Sequence, residues 1–310
     1  MRVLLQFPEG LKAQALGHAR KLEREGHEVV LSGAPCFGAC DLAYEEAIAS
    51  KADKIIHFGH AEYPLQIKPP IPIEHVEWKD DVDILPVLKL ALADERFANA
   101  KTVGLLTTVQ HLHKLAEVIS FLERHGKSVV VGRHGPFSKY DGQILGCDVY
   151  SAINVDSKVD CHLYFGGGLF HPDGAAFACS KPVLSCDPHL GKILWLDGLK
   201  EKWEKRKKAF LALGIRAKRF GIIVSTKPGQ FFLDAARRLK KDLEVLGKEA
   251  AIITFNHVSP DALRNFRSFD FYVNTACPRL ALDDFRQFDK PVLNLGDAYE
   301  LVSLLKESRK

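Results

Sequence analysis

Leu22-Glu23-Arg24-Glu25-Gly26-His27, Leu122-Glu123-Arg124-His125-Gly126-Lys127 and Leu243-Glu244-Val245-Leu246-Gly247-Lys248 are three versions of one junction. Each ends a segment whose apolar residues recur at helical spacing, and each supplies a glycine suited to a left-handed helix cap. The helices expected from this spacing are Leu11–Glu25, His113–His125 and Phe232–Leu246. Apolar, β-branched runs bounded by turn residues surround them and read as buried parallel strands. They fall into three groups: Arg2–Phe7, His27–Leu31 and Lys54–Phe58; Thr102–Thr107, Ser128–Gly132 and Cys161–Phe165; Phe220–Ser225, Glu249–Thr254 and Phe269–Asn274. A further strand closes the second group at Pro182–Leu184 and the third at Pro291–Asn294. The pattern is an internal triplication of a strand–helix–strand–helix–strand unit. Right-handed crossovers then give three similar small α/β domains, each a parallel sheet with helices on both faces. The expected domains are residues 1–99, 100–205 and 206–310, arranged around a central site.

Composition agrees with a globular chain: 46% apolar and 26% charged among 310 residues, which excludes disordered, collagenous and disulfide-scaffold classes. No apolar run approaches the roughly 18 residues of a membrane helix, and the first residues are too soon interrupted to form a signal peptide. The expectation is a soluble, cytoplasmic protein with no membrane partner. A formal net charge of +4 is weak, and the densest basic run, Lys200–Lys208, contains two glutamates. It reads as a solvated linker helix, so nucleic acid is not an expected partner.

Open parallel sheets place their chemistry in loops beyond the carboxyl ends of the strands. That rule sorts the seven cysteines. Cys40 and Cys147 hold matching places after second strands, each directly before an acidic residue: Gly38-Ala39-Cys40-Asp41 and Leu145-Gly146-Cys147-Asp148. Cys277 follows a third strand. Cys161, Cys179 and Cys186 fall in or beside core elements and read as buried hydrophobes. Cys36 and Cys40 form a Cys-x3-Cys pair, yet Ala43 stands where the usual radical S-adenosylmethionine motif has its third cysteine. A zinc site has no second short-spaced pair to support it. Three thiolates, one per repeat, suit a four-iron cluster with one iron open to substrate.

Gln6-Phe7-Pro8-Glu9-Gly10-Leu11, Gly38-Ala39-Cys40-Asp41, Gly59-His60, Gln143-Ile144-Leu145-Gly146-Cys147 and Ala276-Cys277-Pro278-Arg279-Leu280 together resemble the diphthamide biosynthesis enzymes that make 2-(3-amino-3-carboxypropyl)histidine. The resemblance runs nearly end to end. It implies an atypical radical S-adenosylmethionine transferase of the archaeal homodimeric form, acting on one histidine of translation elongation factor 2. Carried over by motif, the ligands of a 4Fe–4S cluster are Cys40, Cys147 and Cys277, and Cys36 has no ligand role. The cluster gives one electron to S-adenosylmethionine, the Cγ–S bond breaks, and the 3-amino-3-carboxypropyl group adds to C2 of the imidazole, leaving methylthioadenosine. An electron donor is implied but not identified.

Gly59, His60, Gly167, Gly168, Gln230 and Arg279 are candidates for holding S-adenosylmethionine. The glycines permit close backbone approach, but taken alone they read better as tight turns. His60 and His171 are open between pocket lining and capping. Gln6, Glu9 and Gln230 end first strands and are expected to face the centre. Arg279 and Lys227 suit the cosubstrate carboxylate or ordinary surface acids. Two other readings remain: a quinolinate synthase-like dehydratase, against which the Pro-Glu-Gly and Cys-Pro-Arg-Leu motifs argue, and a non-catalytic cluster-carrying accessory subunit, against which the three loop cysteines argue.

Overall fold

The computed structural model describes residues 1–308. Thirteen strands make three sheets among these residues. The first sheet holds β1 (Arg2–Gln6), β2 (Glu28–Leu31), β3 (Lys54–Phe58) and β4 (Ile73–Val76). The second holds β5 (Thr102–Thr107), β6 (Ser128–Val131), β7 (Cys161–Phe165), β8 (Val183–Asp187) and β9 (Lys192–Trp195). The third holds β10 (Arg219–Ser225), β11 (Glu249–Phe255), β12 (Phe271–Asn274) and β13 (Val292–Asn294). Their orders are β2-β1-β3-β4, β6-β5-β7-β8-β9 and β11-β10-β12-β13. One order, second–first–third–fourth, thus repeats three times. All pairings are parallel except β8 with β9, where Leu184 faces Trp195 and Asp187 faces Lys192.

The junctions that motivate the triplication are alike in detail. Gly26, Gly126 and Gly247 have φ of +87°, +79° and +69°. The next residue donates its N–H five residues back, His27 to Leu22, Lys127 to Leu122 and Lys248 to Leu243, at 3.0–3.1 Å. Each glycine N–H reaches three residues back, to Glu23, Glu123 or Glu244. This is the Schellman arrangement, which satisfies the last carbonyls of the helix. The helices themselves are Ala15–Arg24, Leu115–Arg124 and Leu233–Val245. In the first two, a 3-10 turn (Glu9–Gln14, Val109–Lys114) occupies the expected first turns. A second shared device lies outside the sequence pattern. Asp53, Asp160 and Asp270, each just before a third strand, accept N–H bonds from the start of the first strand of their own repeat.

Both faces of the second sheet are covered. Leu105, Leu163, Phe165 and Leu184 pack with Val118, Phe121 and Leu122 of one helix and Val87, Leu88 and Ala91 of another. Their neighbours Leu106, Tyr164 and Val183 point the other way, onto Ala175 and Ala176. The third sheet divides likewise, Phe220, Ile222 and Val273 against Ile223, Tyr272 and Val292. Alternate residues of one strand therefore serve two cores, the geometry of a three-layer unit. Truncating such a residue, Leu163→Ala for example, costs about 2–5 kcal/mol.

By packing, the chain forms two compact units: Met1–Pro64 with Pro69–Lys200, and Leu65–Lys68 with the chain from Glu201 onward. The first contains the first two sheets, the second contains the third. The basic run lies in a helix, Leu199–Arg216, most of whose residues are exposed or half-buried. Two strands depart from the sequence reading. β4 was too polar (Ile-Glu-His-Val) to stand out, and β9 is a short antiparallel edge strand that the all-parallel reading omits. No helix among the described residues is long and apolar enough to cross a membrane.

Candidate functional site

The loops beyond the carboxyl ends of the strands hold the three selected cysteines. In the second sheet, the loop after β6 is pinned to β5. Thr107 donates its N–H to Gly142 and accepts from the Ile144 N–H, both at 2.9 Å. Gln143 closes the preceding turn, its Oε1 accepting from the N–H groups of Lys139 and Tyr140 at 2.9 and 3.1 Å. Asp148 does the rest. Its Oδ2 accepts from the N–H groups of Phe137 and Ser138 and from the Ser138 hydroxyl, at 2.8–2.9 Å, and its Oδ1 from the Tyr150 N–H at 3.0 Å. Leu145 and Asp148 exchange backbone bonds around Gly146-Cys147, so Cys147 projects from a tight turn and is exposed. Gly135 must be glycine, because a Cβ there would lie 2.1 Å from Asp148 Oδ1.

The first repeat uses the same plan with a different clamp. Gln6, at the end of β1, was expected to face the centre. It is instead buried, with Nε2 donating to the Asp41 carbonyl at 2.8 Å and Oε1 accepting from the Ala43 N–H at 3.2 Å. The side chain is consumed in holding the Cys40 loop. Gly38-Ala39-Cys40-Asp41 is a turn closed by Asp41 N–H to the Gly38 carbonyl, and the Asp41 carboxylate accepts from Phe37 N–H at 3.3 Å. Cys40 is half-buried there.

The third cysteine lies in a loop of another kind. Asn274, the last residue of β12, donates to the Cys277 carbonyl at 2.8 Å and to Asn294 Oδ1 at 2.9 Å, and accepts from the Ala276 N–H at 3.0 Å. Asn294 in turn donates to the Pro278 carbonyl. Burial pushes the Cys277 thiol up, opposed by the backbone N–H and positive charge of Arg279. The Arg279 guanidinium is buried and pairs with Asp283 at 2.7 Å.

The donor set fits a cluster better than any other choice of cysteines. Cys36, Cys161, Cys179 and Cys186 are all buried. Burial pushes Cys161 to about 11, Cys179 to about 12, and Cys186 higher still, so these three remain protonated hydrophobes. Cys40, Cys147 and Cys277 keep access to solvent and stand one per sheet on carboxyl-edge loops.

Within the first unit, two repeats meet beside Cys147. Tyr63, in the loop after β3, stacks on Phe137 (centroids 5.4 Å, 13° between planes) and brings its hydroxyl to 4.0 Å from Cys147 Sγ. Gln110, after β5, donates to the Gly59 carbonyl at 3.0 Å, and Tyr140 donates to Glu77 at 2.7 Å. His60 is half-buried, with Nδ1 2.9 Å from His57 Nε2, while His57 Nδ1 faces Gln6 Oε1 at 3.0 Å. Burial, then repulsion from His75, lowers His60 to about 4, and burial holds His57 well below the ordinary imidazole range. Both rings are neutral at pH 7.

The family model for diphthamide synthesis proteins matches residues 7–310. The chain belongs to the diphthamide synthesis family. A 2-(3-amino-3-carboxypropyl)histidine synthase from Pyrococcus horikoshii is 38% identical over 99% of this chain and 87% of its own length. One of the same name from Methanocaldococcus jannaschii is 29% identical over 94% of this chain and 81% of its own. Yeast (Saccharomyces cerevisiae) subunit 1 of the synthase is 28% identical over 99% of this chain and 71% of its own. The crystal structure of Dph2 from Pyrococcus horikoshii with a 4Fe–4S cluster superposes with a TM-score of 0.85, covering 98% of this chain and 86% of that one at 37% identity.

The other candidates from sequence stand on separate loops of the chain. Gly59 and His60 follow β3. Gly167 and Gly168 follow β7, where the Gly168 N–H donates to Asp187. Gln230, in the second unit, caps a turn by donating its N–H to Lys227. Sequence reasoning missed the roles of Tyr63, Gln143 and Asp148. The recurrence of Asp directly after Cys was a signal for the last, since a buried carboxylate repeated beside a functional residue has to be satisfied by something nearby.

Proposed function

We propose that this chain is a 2-(3-amino-3-carboxypropyl)histidine synthase, transferring the 3-amino-3-carboxypropyl group of S-adenosylmethionine to a histidine of translation elongation factor 2, the first step of diphthamide biosynthesis. The observation that carries the reading is the placement of one solvent-accessible thiol on the carboxyl-edge loop of each of three equivalent sheets, in a member of this family. Repeats with limits 1–99, 100–205 and 206–310, a cytoplasmic homodimer and a separate electron donor belong to the same proposal.

Cys40, Cys147 and Cys277 are the ligands of a 4Fe–4S cluster. When bound, the cluster supplies an electron and an open iron position for cleaving the Cγ–S bond of S-adenosylmethionine. The chain's own part is to fix the thiols and to choose which carbon of the cosubstrate is held for reaction. Asp148, Gln6 and Asn274 fix the three loops before any metal arrives, which limits the ordering that loading requires. Burial raises the Cys277 thiol, and Arg279 opposes that rise through its N–H and charge. Gly59, His60, Gly167, Gly168, Gln230 and Arg279 are the proposed cosubstrate contacts. A neutral His60, tied through Nδ1 to His57, offers its other ring nitrogen as a hydrogen-bond partner without adding charge.

Anaerobically purified protein, incubated with S-adenosylmethionine and a reductant, is expected to release methylthioadenosine as the main nucleoside. With archaeal elongation factor 2 present, labelled carboxypropyl is expected on the factor, and none on a variant whose target histidine is replaced. Dominant 5′-deoxyadenosine, or equal labelling of the replaced variant, would overturn the reading.

A further inference from the structure

Three groups of side chains besides the three loop cysteines bring potential metal-ligand atoms within 4.8 Å of one another. In two of them the atoms that face one another already have protein partners, although the Nδ1 of His162 is buried without one among the described residues. In Cys36–His57–His60, both His57 nitrogens are taken, by Gln6 and by His60. In Asp156–His162–Cys179, the Asp156 oxygens accept from His162, Lys181 N–H and both donors of Ser180. That carboxylate fastens the Ser180 turn and has no work left for an ion.

The third group is different. Asp80, from the segment between β4 and the helix Leu85–Ala93, His111, from the turn after β5, and His189, from the β8–β9 hairpin, meet on the carboxyl edge of the second sheet. Asp80 Oδ2 lies 2.8 Å from His189 Nε2 and 3.9 Å from His111 Nε2. The second distance is too long for a hydrogen bond. His111 is 3% exposed, and its Nδ1 is buried without a hydrogen-bond partner among the described residues. The nitrogen that faces Asp80 is Nε2, which at 3.9 Å makes no hydrogen bond to the carboxylate, and a cation between them would give both atoms a partner.

The surroundings hold the three ligand atoms still. The Val82 N–H binds Asp80 Oδ1 at 3.0 Å, leaving Oδ2 facing the two rings. The His189 N–H donates to Asp187 at 2.9 Å. The Gly166-Gly167 loop lies against both imidazoles. A Cβ on Gly166 would stand 3.3 Å from His111 Cδ2, and one on Gly167 would stand 3.2 Å from His189 Cδ2. Bare backbone is what lets the loop close over the pair.

We propose that Asp80, His111 and His189 form a mononuclear site for a divalent d-block cation of the zinc class. Two imidazoles and one carboxylate are borderline donors that select such ions over calcium or magnesium. Tetrahedral ligation at about 2.0–2.2 Å puts donor atoms roughly 3.3–3.5 Å apart, so 2.8 Å must open and 3.9 Å must close by about half an ångström each. The His189 side chain is 49% exposed, so an ion can reach the group from solvent. The ion ties the segment after β4 to two loops of the second sheet, independently of the cysteine cluster.

The test is zinc titration of anaerobically purified, cluster-containing protein, with zinc and iron measured separately and the zinc environment read by X-ray absorption. One zinc per chain is expected, in a nitrogen and oxygen shell without sulfur, together with a raised unfolding temperature. His189→Ala, at a half-exposed hairpin position, is expected to weaken zinc binding at least tenfold while leaving iron content and the zinc-free unfolding temperature unchanged. Asp80→Asn is expected to do the same. Zinc binding unaffected by His189→Ala, sulfur in the zinc shell, or no zinc retained at micromolar concentration would overturn the proposal.

Discussion

Asp148 and Asn274 each stand behind a loop cysteine, and they close their loops with opposite chemistry. Around Asp148 the loop turns its N–H groups inward: Phe137, Ser138 and Tyr150 all donate to one carboxylate. Around Asn274 the loop turns a carbonyl inward at Cys277 and an N–H at Ala276, and only an amide can answer both. The first loop follows a second strand and the other a third strand, so the polypeptide approaches each cysteine from a different direction. A thiol on a carboxyl-edge loop is therefore shared by the repeats, while the device that holds it is local.

The largest effect expected from this comparison separates the cysteines themselves. Cys40→Ala, Cys147→Ala and Cys277→Ala are each expected to lower iron from about four per chain by tenfold or more, measured by iron analysis and visible absorbance. Cys36→Ala, Cys161→Ala, Cys179→Ala and Cys186→Ala are expected to keep the iron of folded protein, beyond a folding cost from the lost contact. If Cys36→Ala bleaches the protein while Cys147→Ala stays brown, the equivalence of the loops fails.

Next come the two clamps. Asp148→Ala leaves three N–H groups and a hydroxyl without their acceptor, a loss on the order of 3–5 kcal/mol in denaturant unfolding. Asp148→Asn is expected to fail nearly as badly, because its NH2 would face N–H donors. Asn274→Asp is expected to fail for the reverse reason, with one carboxylate oxygen facing both the Cys277 carbonyl and Asn294 Oδ1. Were Asp148→Asn and Asn274→Asp both neutral, the division into donor-lined and mixed loops would be wrong.

The order of strands was legible in the sequence because it rests on local signals. The three glycines had to take positive φ where their helices end, and the β-branched runs had to be buried on both faces. The cysteines were legible through position alone. What holds them was hidden, since Gln6, Asp41 and Asp148 act through backbone atoms tens of residues away or across a turn, and such pairings leave no period. β4 and β9 escaped for another reason: their edge positions need little apolar surface, so their residues do not announce a strand. Asp80, His111 and His189 come from three separate segments, and only the closing of the second sheet brings them together.

The first repeat carries a pH dependence through its paired histidines. His60 is held near 4 by burial and by His75, against 6.5 when exposed. Burial likewise keeps His57 neutral. Each ring takes a proton more readily unfolded than folded, so the stabilisation is complete above pH 6.5 and is lost as pH falls toward 4. For His60 this amounts to about 3 kcal/mol. Urea unfolding of the wild type is expected to weaken across that window, and His60→Asn to flatten the dependence. An unchanged slope in His60→Asn would show that the ring is not held neutral by its surroundings.

The smallest effect concerns a single hydroxyl in the Cys147 loop. Ser138 Oγ donates to Asp148 Oδ2 at 2.8 Å and accepts from the Gly135 N–H at 3.1 Å. Ser138→Ala removes one of four donors to the carboxylate and leaves a buried N–H unpaired, a cost of about 1–2 kcal/mol. The remaining three N–H bonds keep Asp148 in place, so the turn at Gly146-Cys147 should persist and iron content should stay near the wild-type value. In the third repeat, Thr275 donates its hydroxyl to the Ile223 carbonyl at 2.8 Å and accepts nothing comparable, so Thr275→Val is expected to cost less, about 1 kcal/mol. Unfolding free energies of the two variants, measured side by side with iron content, put the comparison to its finest test. A Ser138→Ala protein that unfolds like the wild type but loses its iron would mean that the hydroxyl serves the cysteine directly and not the carboxylate behind it.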